Sequence, residues 1–143
     1  MYKKIIIPLD NSATDQTILT HIRRLARLTG ADLILVHVAD GFAAQLQDQF
    51  NLADSEEIKG DQAYLDELVI GLQKEGFSAR AVLVHGKEAA DGILSVAQKE
   101  ACDLIAMATH GHQFIEDMIL GSVADKLRHN TDIPILMIRS SVK

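Results

Sequence analysis

The sequence is poor in cysteine and contains no long apolar run, and both absences exclude classes of protein. Cys102 is the only cysteine, so neither an internal disulfide nor a cysteine-based metal site can form. No apolar run approaches the roughly 18 residues that a membrane-spanning helix needs. The first residues also lack the long apolar region and the cleavage site of a signal peptide. We therefore expect a cytoplasmic protein without a membrane partner.

Basic residues are scarce as well, since 14 Lys and Arg stand against 20 Asp and Glu, for a formal net charge of −6 at pH 7. A nucleic-acid-binding surface needs clustered Lys and Arg, so we expect no nucleic-acid partner. The 143 residues have the length of one ordinary domain, and 48% of them are hydrophobic. This balance is typical of a folded globular protein, and we interpret residues 1–143 as a single domain.

Short apolar segments rich in β-branched residues alternate along the chain with segments of helical periodicity. None of the apolar segments alternates with polar residues, which indicates parallel strands covered by helices on both faces. Strands of this kind are predicted at residues 3–9, 32–38, 79–84, 103–108 and 134–138. The pattern predicts an α/β, Rossmann-like fold, an open, doubly wound, five-stranded parallel sheet of strand order 3-2-1-4-5.

Capping residues and glycines predict where the helices begin and end. Ser12 and Asp15 have the spacing of a capping box at the start of the first helix. The next clear helical pattern begins at Asp61, after the less regular and acidic residues 41–60. We expect this irregular segment to be the most mobile part of the chain, as a lid, a partner surface or a plain surface excursion. The last helix is predicted at about residues 123–129.

Ligands of open α/β sheets bind beyond the carboxyl ends of the strands, where the winding reverses. Three segments should reach that edge: residues 8–12, 37–41 and 108–114. The sequences "IIIPLDNS", "LILVHV", "DLIAMATHGHQFIEDMILGSVADKL" and "PILMI" include these segments. Together they resemble the universal stress protein family along essentially the whole chain.

Members of that family that bind ATP carry a motif of one glycine, two residues, a second glycine, nine residues, then glycine and serine or threonine. In this chain Ala108 takes the first position, followed by Gly111, Gly121 and Ser122 at the motif's spacing. Glycines let backbone amides approach phosphate oxygens, and a helix that begins near Ser122 would point its free amides at the same place. Residues 111–112 and 121–123 would then form two halves of one anion clamp. The alternative is that Gly111 ends a strand and Ser122 only caps the last helix.

The resemblance also implies roles for residues at the other strand ends. Asp10 would lie near the ribose and adenine, or help to hold a nucleotide-bound Mg²⁺, although a plain loop aspartate is the alternative. Pro8 and Leu9 would touch the base, and the backbone of Val38 would hydrogen-bond the adenine edge. The full set of nucleotide-binding residues expected is Pro8, Leu9, Asp10, Val38, Met107, Ala108, Gly111, His112, Gly121, Ser122 and Val123.

The histidines call for separate interpretations. His112 takes a position where many nucleotide-binding relatives have Lys or Arg, so phosphate affinity would depend on pH. His110 and His112 are two residues apart in a loop, which does not complete a metal site. His37 lies in an apolar strand and is expected to be a hydrogen-bonded core histidine.

Three functions remain open at this point. The first is a stress-response or signalling module that binds ATP, or ADP or AMP in its place, with or without Mg, and acts as a nucleotide-dependent switch. The second is a slow ATP hydrolase, and the third is a homodimeric interaction protein without nucleotide. Binding ranks first because catalysis needs a positioned base, and beside Asp10 the glycine region offers only Glu116 and Asp117. No catalytic residue is therefore predicted, and ATPase activity is expected to be weak at most.

The fifth strand, residues 134–138, is apolar and should lie at one edge of the sheet. A bare apolar edge favours pairing with a second copy of the chain around a two-fold axis. We therefore predict a homodimer through this strand, with cover by a helix or by the last residues as the alternative.

Overall fold

The computed structural model of the chain describes residues 1–39, 53–85, 88–109 and 117–140, with the side chains of 53–58 and 117–121 left out. Strands and helices alternate along these residues, as the apolar pattern predicts. The elements in chain order are β1 (Lys4–Pro8), α1 (Thr14–Thr29), β2 (Asp32–Ala39), α2 (Ala53–Lys74), β3 (Ala79–His85), α3 (Ala89–Lys99), β4 (Leu104–Thr109), α4 (Asp117–Asn130) and β5 (Ile135–Arg139).

The strands form one parallel sheet of order β3-β2-β1-β4-β5, which confirms the predicted fold class. At its centre β1 lies between β2 and β4, so that Ile6 pairs with Ile34 on one side and with Ile105 on the other. The chain first winds outward from β1 to β3 and then crosses back to β4. The winding therefore reverses between β1 and β4, where the carboxyl ends of the two strands leave a crevice.

Two apolar layers cover the two faces of the sheet. Ile5 and Ile7 of β1 pack in the layer formed with α1 and α2, whereas Ile6 packs in the layer formed with α3 and α4. All three side chains have no exposed surface. Burial of each is worth about 1.5–3 kcal/mol. Both faces of the strand are therefore in the core, which explains why its three central positions, Ile5 to Ile7, are all apolar.

Two helices begin earlier than the sequence pattern predicts. Helix α2 begins at Ala53 and not at Asp61, so residues 53–60 are helical, while residues 40–52 lie outside the described part of the chain. Helix α4 begins at Asp117 and not near Val123. Among the described residues, no helix combines the length and the apolar character needed to cross a membrane.

Candidate functional site

A cavity of about 220 Å³ lies at the carboxyl edge of the sheet, between the ends of β1 and β4. Its walls come from three strands, from the loop after β1 and from helices α1, α3 and α4, which all reach this edge. This is the place where a doubly wound sheet binds its ligands. The lining residues are Pro8, Leu9, Asp10, Thr14, Asp15, Val36, His37, Val38, Ala89, Ile93, Met107, Ala108 and Val123.

Most of the cavity wall is apolar, and one glycine brings α3 close to it. A Cβ atom added to Gly92 of α3 would lie 3.0 Å from Cγ2 of Val38 and 3.3 Å from Cγ1 of Val84. Because Gly92 has no side chain, α3 packs directly against β2 and supports Val38 from behind. Ile93, the next residue of α3, lines the cavity itself. The apolar wall suits a flat aromatic group more than a charged one.

The loop after β1 closes over a buried carboxylate. Asp15, which is 2% exposed, accepts hydrogen bonds from the backbone amides of Asp10 at 3.1 Å and Asn11 at 2.9 Å. Asn11 has a φ of 61°, a left-handed conformation that Asn tolerates, and this turns both amides toward Asp15. The hydroxyl of Tyr64 on α2 donates a third hydrogen bond to Asp15, at 2.6 Å. One carboxylate therefore holds the loop and ties it to α2.

This arrangement corrects the predicted capping box. The residue that caps α1 is Ala13, which makes no side-chain capping bond, and the amide of Asp15 bonds the backbone oxygen of Ser12. The hydroxyl of Ser12 donates to Asp10, lies 2.8 Å from the hydroxyl of Thr14 and accepts the backbone amide of Thr14 at 3.3 Å. The carboxylate of Asp15 is directed at the loop and not at the helix end. The left-handed turn at Asn11 is the physical reason, because it exposes the loop amides to Asp15.

Burial raises the pKa of Asp15 to about 6. Removal from water is the largest cause, and the hydrogen bonds from Tyr64 and from the Asp10 amide oppose it. The negative charge of Asp10 raises the pKa further. The pKa of the Tyr64 hydroxyl is also raised, by burial and by its bond to Asp15. The cavity is therefore lined by a carboxyl group whose pKa lies well above that of an ordinary aspartate.

His37 is a second polar group at the cavity. Its Nδ1 atom lies 2.8 Å from the carbonyl oxygen of Leu9, and its Nε2 atom lies 3.3 Å from Oδ2 of Asp61 on α2. The side chain of Asn11 donates to the other oxygen of Asp61 at 3.2 Å. His37 is hydrogen-bonded as expected, but it lies at the cavity with 16% of its side chain exposed and not in the core.

The cavity brings together seven of the predicted nucleotide-binding residues. Gly111 and His112 lie outside the described residues, as does His110. Ala108 lies within β4, where the extended backbone accepts alanine without strain, so the missing first glycine carries no conformational cost. The seven residues in the cavity lining are Pro8, Leu9, Asp10, Val38, Met107, Ala108 and Val123.

Gly121 and Ser122 lie inside α4 and not at its start. A helix that begins at Asp117 uses the amides of residues 121–123 in its own hydrogen bonds, because only the first amides of a helix are free. Residues 121–123, one of the two predicted halves of the anion clamp, therefore have no free amides to offer a phosphate. Any free amides of α4 would belong to its first turn. Ser122 is exposed and its hydroxyl lies on the surface of the helix.

Sequence reasoning missed several lining residues. The sequence pattern predicts a capping box for Asp15 and a core position for His37. However, Asp15 comes three residues after the segment 8–12 that reaches the sheet edge, and His37 is the first residue of the segment 37–41. No signal in the sequence points to the residues of α3, because Gly92 looks like an ordinary helix glycine. Within the described residues, no three His, Cys, Asp or Glu side chains are grouped so as to hold a metal ion. The residues missed are Thr14, Asp15, Val36, His37, Ala89 and Ile93.

The chain belongs to the universal stress protein family, whose model matches residues 1–139. Universal stress protein MJ0577 of Methanocaldococcus jannaschii is 26% identical over 156 aligned positions, which cover 97% of this chain and 96% of that protein. The solved structure of protein MJ0577 covers 100% of this chain and 99% of its own, with a TM-score of 0.85 and 26% identity. The family and the fold thus agree along the whole sheet.

Two further solved structures share the fold and contain a ligand. A universal stress protein from Archaeoglobus fulgidus in complex with dAMP has a TM-score of 0.70 at 23% identity, covering 96% of this chain and 98% of that one. A universal stress protein in complex with cAMP has a TM-score of 0.72 at 18% identity, covering 98% of both chains. At this level of identity the similarity concerns the fold.

Proposed function

We propose that the cavity between β1 and β4 is the binding site for an adenine nucleotide. The observation that carries the proposal is the convergence of β1, β2 and β4 on one largely apolar cavity with the carboxylate of Asp10 in its lining. The complexes of related folds with dAMP and cAMP support the choice of an adenine ligand. Membership of the universal stress protein family supports a role in stress response or signalling.

The chemistry of the lining suggests how such a ligand would lie. The apolar side chains of Val38, Met107 and Ile93 would contact the base, and Asp10 would accept hydrogen bonds from ribose hydroxyls. Phosphates would point away from the carboxylates of Asp10 and Asp15, because like charges repel. The first turn of α4, the helix that follows β4 in the chain, would offer them free amides and a positive dipole end.

We propose ATP as the nucleotide, with ADP or AMP as weaker ligands and with Mg²⁺ held through the phosphates and Asp10. Such a site would act as a switch because α2 contacts two of its walls. Tyr64 bonds Asp15, and Asp61 lies beside His37, so a ligand that moves the loop after β1 would also move α2. Helix α2 would then present a nucleotide-dependent surface to a protein partner.

A homodimer through β5 remains part of the proposal. This strand is the outer strand of the sheet, and Met137 is 49% exposed there. Pairing with β5 of a second copy around a two-fold axis would cover this side chain.

Titration calorimetry with ATP and Mg²⁺ tests the proposed site, with GTP as the matched control for the base. We expect ATP to bind with a Kd between micromolar and about 1 mM, and GTP to bind more weakly because the apolar wall offers its amino and oxo groups no partners. Phosphate release measured on the same samples should stay close to background. Absence of ATP binding at millimolar concentration would exclude a nucleotide site, and equal binding of GTP would exclude an adenine-specific one.

A further inference from the structure

The contacts of Asp15 set it apart from the groups that would touch a ligand. Its Oδ1 atom accepts the amide of Asp10, and its Oδ2 atom accepts both the amide of Asn11 and the hydroxyl of Tyr64. The ionised carboxylate, which has acceptors alone, can accept from all three donors at once. The two amides belong to the loop that carries the Asp10 side chain to the cavity mouth.

We propose that Asp15 is a positioning residue that makes nucleotide binding depend on pH, by holding the Asp10 loop in its binding geometry only while its carboxylate is ionised. The proposal rests on the proposed function and adds a proton as the regulator of that site. Asp15 would not touch the nucleotide phosphates, and it acts through the backbone of Asp10 and Asn11.

Protonation of Asp15 would rearrange the three hydrogen bonds. A proton on Oδ2 needs an acceptor, and the hydroxyl oxygen of Tyr64, 2.6 Å away, is one that already contacts this atom. Tyr64 would then turn from donor to acceptor, and the Asn11 amide would keep only a weak bond to the protonated oxygen. The left-handed turn at Asn11 would lose the contact that holds it, and with it the orientation of Asp10.

Among the described residues, the other titratable groups around Asp15 lie on its own loop and on the neighbouring elements α2 and β2. Asp10 belongs to the same loop, and both its negative charge and a hydrogen bond between the two side chains favour the protonated form of Asp15. Tyr64 on α2 favours the ionised form through its hydrogen bond. Asp61 on α2 and His37 on β2 form the adjoining pair, connected to the loop through Asn11 and Leu9 respectively.

The test uses adenosine as the ligand, since it carries no phosphate that titrates in the same range. Affinity of the wild-type protein is measured by calorimetry from pH 5 to pH 8. We expect affinity to fall about tenfold toward pH 5, the equilibrium equivalent of one strong hydrogen bond lost from the loop. Without ligand, the carboxyl ¹³C resonance of Asp15 and the amide resonances of Asp10 and Asn11 should shift together with one midpoint.

Two variants and one control show whether the midpoint of the pH titration belongs to Asp15. Tyr64→Phe removes the hydrogen bond that favours ionised Asp15, so the midpoint should move to higher pH. Tyr2→Phe is the matched control, because Tyr2 lies before the amino end of β1, at the opposite edge of the sheet, and the midpoint should stay. Asp15→Asn should remove the pH step in adenosine affinity, and its amide resonances should no longer titrate.

The outcomes separate this proposal from the proposed function. Adenosine binding without any pH step in the wild type, or an unchanged step in Asp15→Asn, would overturn the positioning role while leaving the nucleotide site intact. If the Asp15→Asn variant does not fold, an unshifted pH midpoint in Tyr64→Phe would by itself overturn the positioning role. If adenosine fails to bind at any pH, the proposed function falls, and the ligand-free resonances still decide whether Asp15 controls the loop.

Discussion

Replacement of Gly92 by alanine tests how closely α3 supports the cavity wall. In the interior of a helix, alanine is favoured over glycine by about 1 kcal/mol. Against this gain, the new methyl group would lie 3.0 Å from Cγ2 of Val38 and 3.3 Å from Cγ1 of Val84, so both neighbours must move by a few tenths of an ångström. Valine side chains are stiff at χ1, and overpacking of this kind costs about 1–3 kcal/mol.

The steric cost should therefore equal or exceed the gain in helix propensity. We expect Gly92→Ala to change the free energy of unfolding by between zero and about 2 kcal/mol in the destabilising direction. The displaced Val38 lines the cavity, so nucleotide affinity should also weaken. Urea unfolding measures the stability change, and calorimetry with ATP measures the affinity.

The matched control is Gly71→Ala in α2, where an added Cβ meets no atom within 4 Å. This variant gains the helix propensity without the clash, and its free energy of unfolding should rise by about 1 kcal/mol. The difference between the two variants reports the contact of α3 with the cavity wall. Equal stabilisation by both substitutions, with unchanged ATP affinity in Gly92→Ala, would refute the reasoning.

Four further predictions concern the buried carboxyl group, the motif and the edge strand. Folding raises the pKa of Asp15 from 3.8 to about 6, so its contribution to stability is greatest in acid and is lost as the pH rises through 6. Relative to Asp15→Asn, urea unfolding of the wild type should therefore lose about 2 kcal/mol between pH 4 and pH 7, and a constant difference would contradict this. Ala108→Gly should leave ATP affinity unchanged, since the strand already accepts alanine, and marked tightening would show hidden strain. Ser122→Ala should leave ATP affinity unchanged, because Ser122 is exposed and lies inside α4, where its amide is used by the helix; a clear loss of affinity in calorimetry would show that its hydroxyl contacts phosphate. Met137→Lys should convert the predicted dimer to a monomer in light scattering, and a wild-type monomer at tens of micromolar would refute the dimer.

The sheet was predictable because its central strands are buried on both faces. The apolar run of Ile5, Ile6 and Ile7 in β1 is the direct consequence of two core layers, and similar apolar runs locate the other strands. Strand order followed from the usual winding of such sheets. The strand order in turn predicts which edge of the sheet carries the cavity. For this reason seven of the predicted site residues line the cavity.

Helix starts were less predictable because local patterns compete there. Gly121 costs about 1 kcal/mol in a helix interior, so the sequence around it reads as a break although α4 continues through it. The acidic residues before Asp61 read as a loop, yet acidic side chains are also favoured in the first turns of a helix. In both helices, tertiary packing determines the residue at which the helix begins, and local sequence does not reveal that packing.

The polar part of the site was the least predictable. A carboxylate three residues after a serine fits a capping box, and the sequence contains no sign that Asn11 adopts a left-handed turn. That single backbone conformation redirects two amides to Asp15. Contacts across the fold, such as Tyr64 with Asp15, depend on how α2 packs and have no signature in sequence spacing.

The most direct test of the nucleotide site is an NMR titration of the isotope-labelled protein with AMP. The account predicts that the amides of Leu9, Val38 and Ala108 show the largest shifts, because these residues come from the carboxyl ends of three different strands and all line the cavity. The amide of Leu28, on the far end of α1, should stay unchanged. Absence of shifts at millimolar AMP, or largest shifts away from these three strand ends, would contradict a nucleotide site between β1 and β4.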